Sequence, residues 1–145
     1  MTKILFICAA NVWRSQMAEW YYNAFTNSEL GSSAAIVEDR RVKYNHKPSQ
    51  SIQDIMLEDG VDISQQRINL LTPELCQEAD KIVLLLALDN IKSEFKIHNQ
   101  SPIDFLYENH NDKLIMYPIS DPYSADKEFN IFTRNLIREF VLGLV

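Results

Sequence analysis

The sequence lacks any uninterrupted apolar run of the roughly 18 residues needed to cross a bilayer, which sets aside a membrane-spanning protein. Cysteine is scarce, with only Cys8 and Cys76. A disulfide framework needs more, in a smaller secreted chain. Neither cysteine has a Cys or His close by in sequence to complete a zinc site, so each is read alone and no metal or other cofactor is expected. Basic charge is also short: 14 Lys and Arg stand against 20 Asp and Glu, a net charge of −6. A nucleic-acid binder needs a basic face, so neither nucleic acid nor a membrane is expected among the partners. The same deficit repels anionic substrates. Any anion site must therefore be made locally, from backbone N–H groups and a placed arginine. Repeats and low-complexity segments are missing as well.

What is present reads as one domain over residues 1–145, with 46% hydrophobic residues to build a core. The apolar run near the N-terminus is short and soon followed by Arg14 and Glu19. It suits a first strand better than a secretory signal, and a cytoplasmic location is expected. Strand signals alternate with helix signals. Lys3 to Ile7 reads as a buried strand, Arg14 to Phe25 as a helix, and Gly31 to Val37 as a second strand. Ser49 to Glu58 is an amphipathic helix with Ser49 as candidate N-cap and Gly60 as its end. Thr72-Pro73-Glu74 starts another helix, running to about Ala79, and Lys81 to Leu86 is an interior strand. A helix is expected near Asp89 to Lys96 and a last strand over Lys113 to Tyr117. A terminal helix is expected over Ser124 to Leu142, with Phe129, Phe132, Leu136, Phe140 and Val141 on one face. This alternation predicts an α/β fold in which about four parallel strands are covered by helices on both faces. The polar stretch from Glu38 to Pro48 is a surface loop.

The chemistry concentrates where the first strand hands over to the first helix. The loop reads Cys8-Ala9-Ala10-Asn11-Val12-Trp13-Arg14-Ser15. Parallel sheets bind ligands beyond the C-terminal ends of their strands. A helix N-terminus adds unpartnered N–H groups and the positive end of a dipole, which makes the loop an anion site. A cysteine at its start lies in the same field, which favours the thiolate. Arg14 can offer a planar fork to two phosphate oxygens, and Ser15 can donate a hydrogen bond to the sulfur. On spacing alone, an inert buried Cys8 with Arg14 capping a surface helix would fit too. A phosphate-transferring thiolate also needs an acid for the leaving oxygen. Asp121-Pro122-Tyr123 follows the last strand and lies by topology on the same sheet edge, although Asp-Pro is also a common turn dipeptide. Cys76, in a helical pattern, reads as a buried small hydrophobe.

The segment ILFICAANVWRSQMAE, the DPY at Asp121 to Tyr123 and the intervening DGVDISQQRINLLTPELCQEADKIVLL together resemble the low-molecular-weight protein tyrosine phosphatase family. That family shares its fold with thioredoxin-coupled arsenate reductases. The resemblance implies a four-stranded parallel sheet in a flavodoxin-like three-layer arrangement. It implies hydrolysis of phosphate monoesters, phosphotyrosine in proteins or a small aryl phosphate, with inorganic phosphate or another oxyanion also held in the loop. Cys8 would form a phosphocysteine, Arg14 bind the phosphoryl oxygens, Ser15 support the thiolate, and Asp121 act as general acid and then general base. Ala9, Ala10, Asn11, Val12 and Trp13 would line the phosphate cradle, with Trp13 either a wall of the pocket or packed under the loop as core, Asn11 holding a left-handed turn and Tyr123 lining the pocket.

The sequence departs from that pattern in places. Ala10 stands where many members have Gly, and Ser33-Ala34-Ala35 replaces a Ser-Ala-Gly strand end. Trp13 stands where many have a second cysteine, so no loop thiol can shield Cys8 from oxidation beyond sulfenic acid. Gln66 falls where the family has a structural histidine, a role in which an amide could still hydrogen-bond. Two other readings stay open. Arg14 to Glu19 is more like the arsenate reductase branch, but Leu84 to Asn90 carries none of that branch's relay thiols, so arsenate reduction would need an external thiol. The third reading is a catalytically weak anion-binding regulatory module.

Overall fold

The computed structural model describes residues 2–9, 14–37, 50–66, 68–86, 95–119 and 126–145. Strands β1 (Ile4–Cys8), β2 (Gly31–Ala35), β3 (Lys81–Leu84) and β4 (Leu114–Met116) form one sheet in the order β2-β1-β3-β4. All pairs are parallel, with Cys8 opposite Ala35 and Ile7 opposite Leu84. The helices are α1 (Arg14–Thr26), α2 (Gln50–Leu57), α3 (Pro73–Glu78), α4 (Pro102–His110) and α5 (Lys127–Leu142), with a 3₁₀ turn at Asn111–Lys113.

The strands' alternation divides the core in two. Ile4, Phe6 and Val83 pack with Met17 and Tyr21 of α1, Ile55 of α2, and Ile137 and Val141 of α5. Leu5, Ile7, Ile82 and Leu84 pack on the other face with Cys76 of α3 and Phe105 and Leu106 of α4. β1 is buried throughout, as expected of a central strand covered on both faces. The predicted three-layer α/β arrangement is the one found. Its strand order places the topological switch between β1 and β3, directly beyond Cys8. Among the described residues no helix is long and apolar enough to cross a membrane.

Local signals explain most element ends. Thr72 Oγ1 accepts the Leu75 N–H at 3.2 Å and Pro73 opens α3, as its sequence predicts. Lys113 Nζ donates to the carbonyls of Cys76 and Gln77 at the other end of α3. α2 ends at Gly60, where φ is +75° and the Val61 N–H returns to the Met56 carbonyl at 3.1 Å. Its candidate cap Ser49, the loop from Glu38 to Pro48, and residues 89–94 of the helix expected at Asp89 to Lys96 lie outside the described residues. Phe95 and Lys96, which are described, are not helical.

Two expectations are corrected. Helix α4 was not anticipated, although Ser101-Pro102 repeats the signal of Thr72-Pro73 and Ser101 Oγ accepts the Asp104 N–H at 3.1 Å. The inward face of α5 is also not the one its aromatics mark. Asn130, Thr133, Arg134, Ile137 and Val141 are buried, whereas Phe129, Phe132 and Leu136 are exposed and Phe140 is half-buried. The physical reason lies in what α5 packs against. α1 and the end of α2 present polar groups there, so the inner face of α5 carries polar partners for them.

Those partners form a cluster. Asp59, just beyond α2, accepts the Tyr21 hydroxyl at 2.7 Å and Arg138 Nη1 at 2.7 Å. The neighbouring Arg134 Nη1 donates to the Ile55 carbonyl at 3.0 Å and to Glu58 at 3.1 Å. Partial burial works against the Asp59 carboxylate, but the Tyr21 hydroxyl and the two guanidiniums outweigh it and hold its pKa below the ordinary value. Burial first, and then Asp59, push the Tyr21 phenol up.

Two stability predictions follow from these contacts. A Cβ at Gly31 would meet Asn23 Oδ1 at 2.9 Å and the Glu19 carbonyl at 3.1 Å, where the Asn23 side chain already ties to the Gly31 backbone. Gly31→Ala should destabilise by about 1–3 kcal/mol in denaturant unfolding. For Asp59, the lowered pKa means that its contribution is complete above the unfolded carboxyl's titration, near about pH 4. It is lost as pH falls through the lower folded value. Asp59→Asn should therefore lower the melting temperature at neutral pH and reduce the loss of stability on acidification, both readable from unfolding curves across the acid range.

Candidate active site

Cys8 is the last residue of β1 and Ser15 the second of α1. The strand's direction and the helix's first turn bring Cys8 Sγ within 3.0 Å of Ser15 Oγ, and both residues are buried. At that length either group can be the donor. A hydroxyl that rotates toward the sulfur stabilises its ionised form.

Arg14 is 5% exposed. Its Nη1 donates to the Ile119 carbonyl at 2.8 Å and approaches the Leu85 carbonyl at 3.4 Å. These carbonyls follow β4 and β3, so the C-terminal ends of the strands converge on one guanidinium. The convergence is built from backbone bonds that continue the ladders past the strands. Leu85 N–H donates to Ile7 at 2.8 Å, Ile119 N–H to Leu85 at 3.3 Å, and the Ile36 and Val37 N–H groups both donate to Ala9 at 3.0 and 2.9 Å.

One turn into α1 lies a second polar group. The Glu19 carboxylate is buried, accepts the Ser33 hydroxyl at 2.8 Å through Oε1, and accepts the Gln66 amide through Oε2. The same amide donates to Gln16 Oε1 at 3.1 Å. Burial raises the Glu19 pKa, and the bonds from Ser33 and Gln66 oppose that rise. Gln66, expected as a hydrogen-bonding stand-in for a histidine, thus bonds to the face of α1 that follows Ser15. Sequence reasoning missed Glu19, although its i+4 spacing from Ser15 places both on one side of the helix. It also missed the carbonyls of Leu85 and Ile119, which no side-chain pattern encodes.

The site residues divide accordingly. Cys8, Ala9, Arg14 and Ser15 are brought together at one sheet edge. Ala10, Asn11, Val12, Trp13, Asp121 and Tyr123 lie outside the described residues. Cys76 belongs to α3 and packs with the core on the opposite face of the sheet from α1. Burial pushes its thiol up to about 11 despite nearby Lys113, so it is a poor nucleophile at neutral pH.

Comparison with known proteins adds what geometry alone does not. The model of the low molecular weight phosphotyrosine protein phosphatase family matches residues 3–144. The chain belongs to this family. An arsenate reductase from Halalkalibacterium halodurans is 35% identical over 82 residues, 57% of this chain and 55% of that protein. The match thus spans about half the length of that relative. Two solved structures share the fold. Vibrio vulnificus Wzb in complex with benzylphosphonate has a TM-score of 0.78 at 21% identity, covering 99% of this chain and 96% of its own. The low molecular weight protein tyrosine phosphatase from T. tengcongensis has a TM-score of 0.78 at 21% identity, covering 99% and 97%.

The contrast between the two thiols is testable by alkylation. Iodoacetamide at neutral pH should modify Cys8 and leave Cys76 untouched, and inorganic phosphate should slow the reaction. Peptide mass mapping with and without phosphate reads both outcomes.

Proposed function

We propose that this chain hydrolyses phosphate monoesters through a phosphocysteine on Cys8, with phosphotyrosine in proteins as the substrate class. The observation that carries the proposal is the 3.0 Å pairing of Cys8 Sγ with Ser15 Oγ at the switch point of the sheet, beside the buried Arg14. Family membership supports the reaction class.

In the first step the Cys8 thiolate attacks phosphorus. The S–P bond forms, the P–O bond to the leaving group breaks, and its electron pair goes to an oxygen that takes the Asp121 proton. In the second step Asp121, now a carboxylate, takes a proton from water as the water oxygen attacks phosphorus. The S–P bond breaks and the thiolate returns, leaving inorganic phosphate. Ser15 stabilises the sulfur whenever it carries charge. Arg14 and the loop N–H groups from Ala9 to Trp13 hold the equatorial oxygens, which are charged in both transition states. The carbonyls that fix Nη1 set the plane of the guanidinium before substrate arrives, which removes a reorganisation cost from the reaction.

Arsenate reduction is the second reading, and the arsenate reductase relative favours it. Against it stand the single other thiol, Cys76, its burial and its raised pKa. Without a relay, an external thiol would have to reach an arsenylated Cys8 directly.

Hydrolysis of aryl phosphates of graded leaving-group basicity tests the proposal. Cys8→Ser should abolish turnover while keeping phosphate binding. Asp121→Ala should lower kcat by about 10²–10⁴-fold with basic leaving groups and by much less with p-nitrophenyl phosphate. Equal activity of Cys8→Ser and wild type would overturn the mechanism. Phosphate binding without wild-type turnover would leave an anion-binding module, and arsenite formation with glutathione would select the reductase reading.

A further inference from the structure

The outward stripe of α5 has no role in the core or in the reaction. Phe129, Phe132 and Leu136 follow one another at helical spacing and are 38%, 57% and 37% exposed. Across from them runs the chain after β4, Tyr117-Pro118-Ile119. The two walls enclose a cleft of about 230 Å³. The stacking of Tyr117 on Phe140, centroids 3.9 Å apart and planes 10° apart, holds the walls together beyond Leu136. Exposed aromatic rings lining a preformed cleft are a binding feature rather than scattered surface apolarity.

The rim shows what would fit. Glu128 lies one turn before Phe132 and Glu139 nearly one turn after Leu136, on the same side of the helix, and both are exposed. Neither makes an ion pair among the described residues, whereas Lys127, Arg134 and Arg138 all pair with Glu58 or Asp59. The cleft is thus apolar with an acidic rim, on a chain of net charge −6. A second copy of the same stripe would set glutamate against glutamate, and an anionic membrane would be repelled. One wall of the cleft also touches the candidate active site through its backbone. Its wall residue Ile119 offers its carbonyl to Arg14 at 2.8 Å. The other wall begins at Asp126, which caps α5 by accepting the Phe129 N–H at 2.8 Å.

We propose that this cleft is a docking site for a protein segment that presents a large apolar side chain with Lys or Arg within a turn of it. The segment's apolar side chain fills the space between Phe132 and Pro118, and its cations meet Glu128 and Glu139. The proposal rests on geometry and charge, and it stands whether or not the chain hydrolyses a monoester.

The test uses the whole chain and two fluorescein-labelled synthetic peptides. One is an amphipathic repeat of Leu, Phe and Lys, and its twin has Glu in place of Lys. Anisotropy should show saturable binding of the Lys peptide, weakened by salt, and none of the Glu peptide. Phe132→Asp, and separately Glu128→Lys with Glu139→Lys, should each weaken binding about tenfold or more. Leu136→Ser gives a second apolar variant, and unchanged melting temperatures show that the variants fold. Amide shifts on titration should centre on Tyr117, Phe129 and Phe132. The proposal is overturned if the Lys peptide does not bind, binds all variants equally, or is matched by the Glu peptide. It is also overturned if sedimentation shows a dimer, or flotation shows binding to phosphatidylserine vesicles, that Phe132→Asp abolishes.

Discussion

A buried guanidinium can be kept only where acceptors surround it, and that requirement organises this molecule. Arg14 opens α1 with almost no exposure, and the ends of the strands supply its carbonyl partners. Burying a cation costs several kcal/mol unless its hydrogen bonds are met. The backbone beyond β3 and β4 must therefore stay where those partners need to be. The same fixed positive charge lies next to the positive end of the α1 dipole, a local positive field in a chain of net charge −6. That local field and the closure of the sheet's C-terminal edge rest on one residue.

The helix that carries Arg14 is unusual in how much polarity it buries. Arg14, Ser15, Gln16 and Glu19 are all inside. Each finds a partner on another element: Cys8 on β1, Ser33 on β2, Gln66 after α2, and the strand-end carbonyls. Directional bonds to several elements fix rotation and translation of the helix together, which apolar packing alone does less sharply. The 3.0 Å contact between the Cys8 sulfur and the Ser15 hydroxyl depends on that orientation. Among the described residues Glu19 is held by neutral donors, whose hydrogen bonds oppose the rise in pKa that burial brings.

The parts of this design that were legible in the sequence are the local ones. Strand then loop then helix could be read from residues 3 to 25, and that handover alone located Cys8, Arg14 and Ser15. Alternation of elements gave the parallel sheet. The carbonyls that hold Arg14 were not legible, because any residue type supplies the same carbonyl and only topology brings residue 119 to residue 14. The face of α5 misled for a related reason. Periodicity shows which side chains share a stripe but not which stripe meets the core, and here Asn130, Thr133 and Arg134 answer polar neighbours while the aromatics point outward. α4 carried a Ser-Pro start, but its apolar residues Ile103, Phe105, Leu106 and Tyr107 fall in one short cluster rather than a repeating helical stripe.

The two carbonyls that hold Arg14 lie 71 and 105 positions along the chain from it. Contacts so distant in sequence form late, after the intervening loops have closed. A chain being synthesised thus carries Cys8 and Arg14 before the surroundings that orient the guanidinium exist. Those surroundings assemble as a step when residues 85 and 119 join the sheet edge. The order of synthesis itself separates the making of the Cys8 thiol from the assembly of its surroundings.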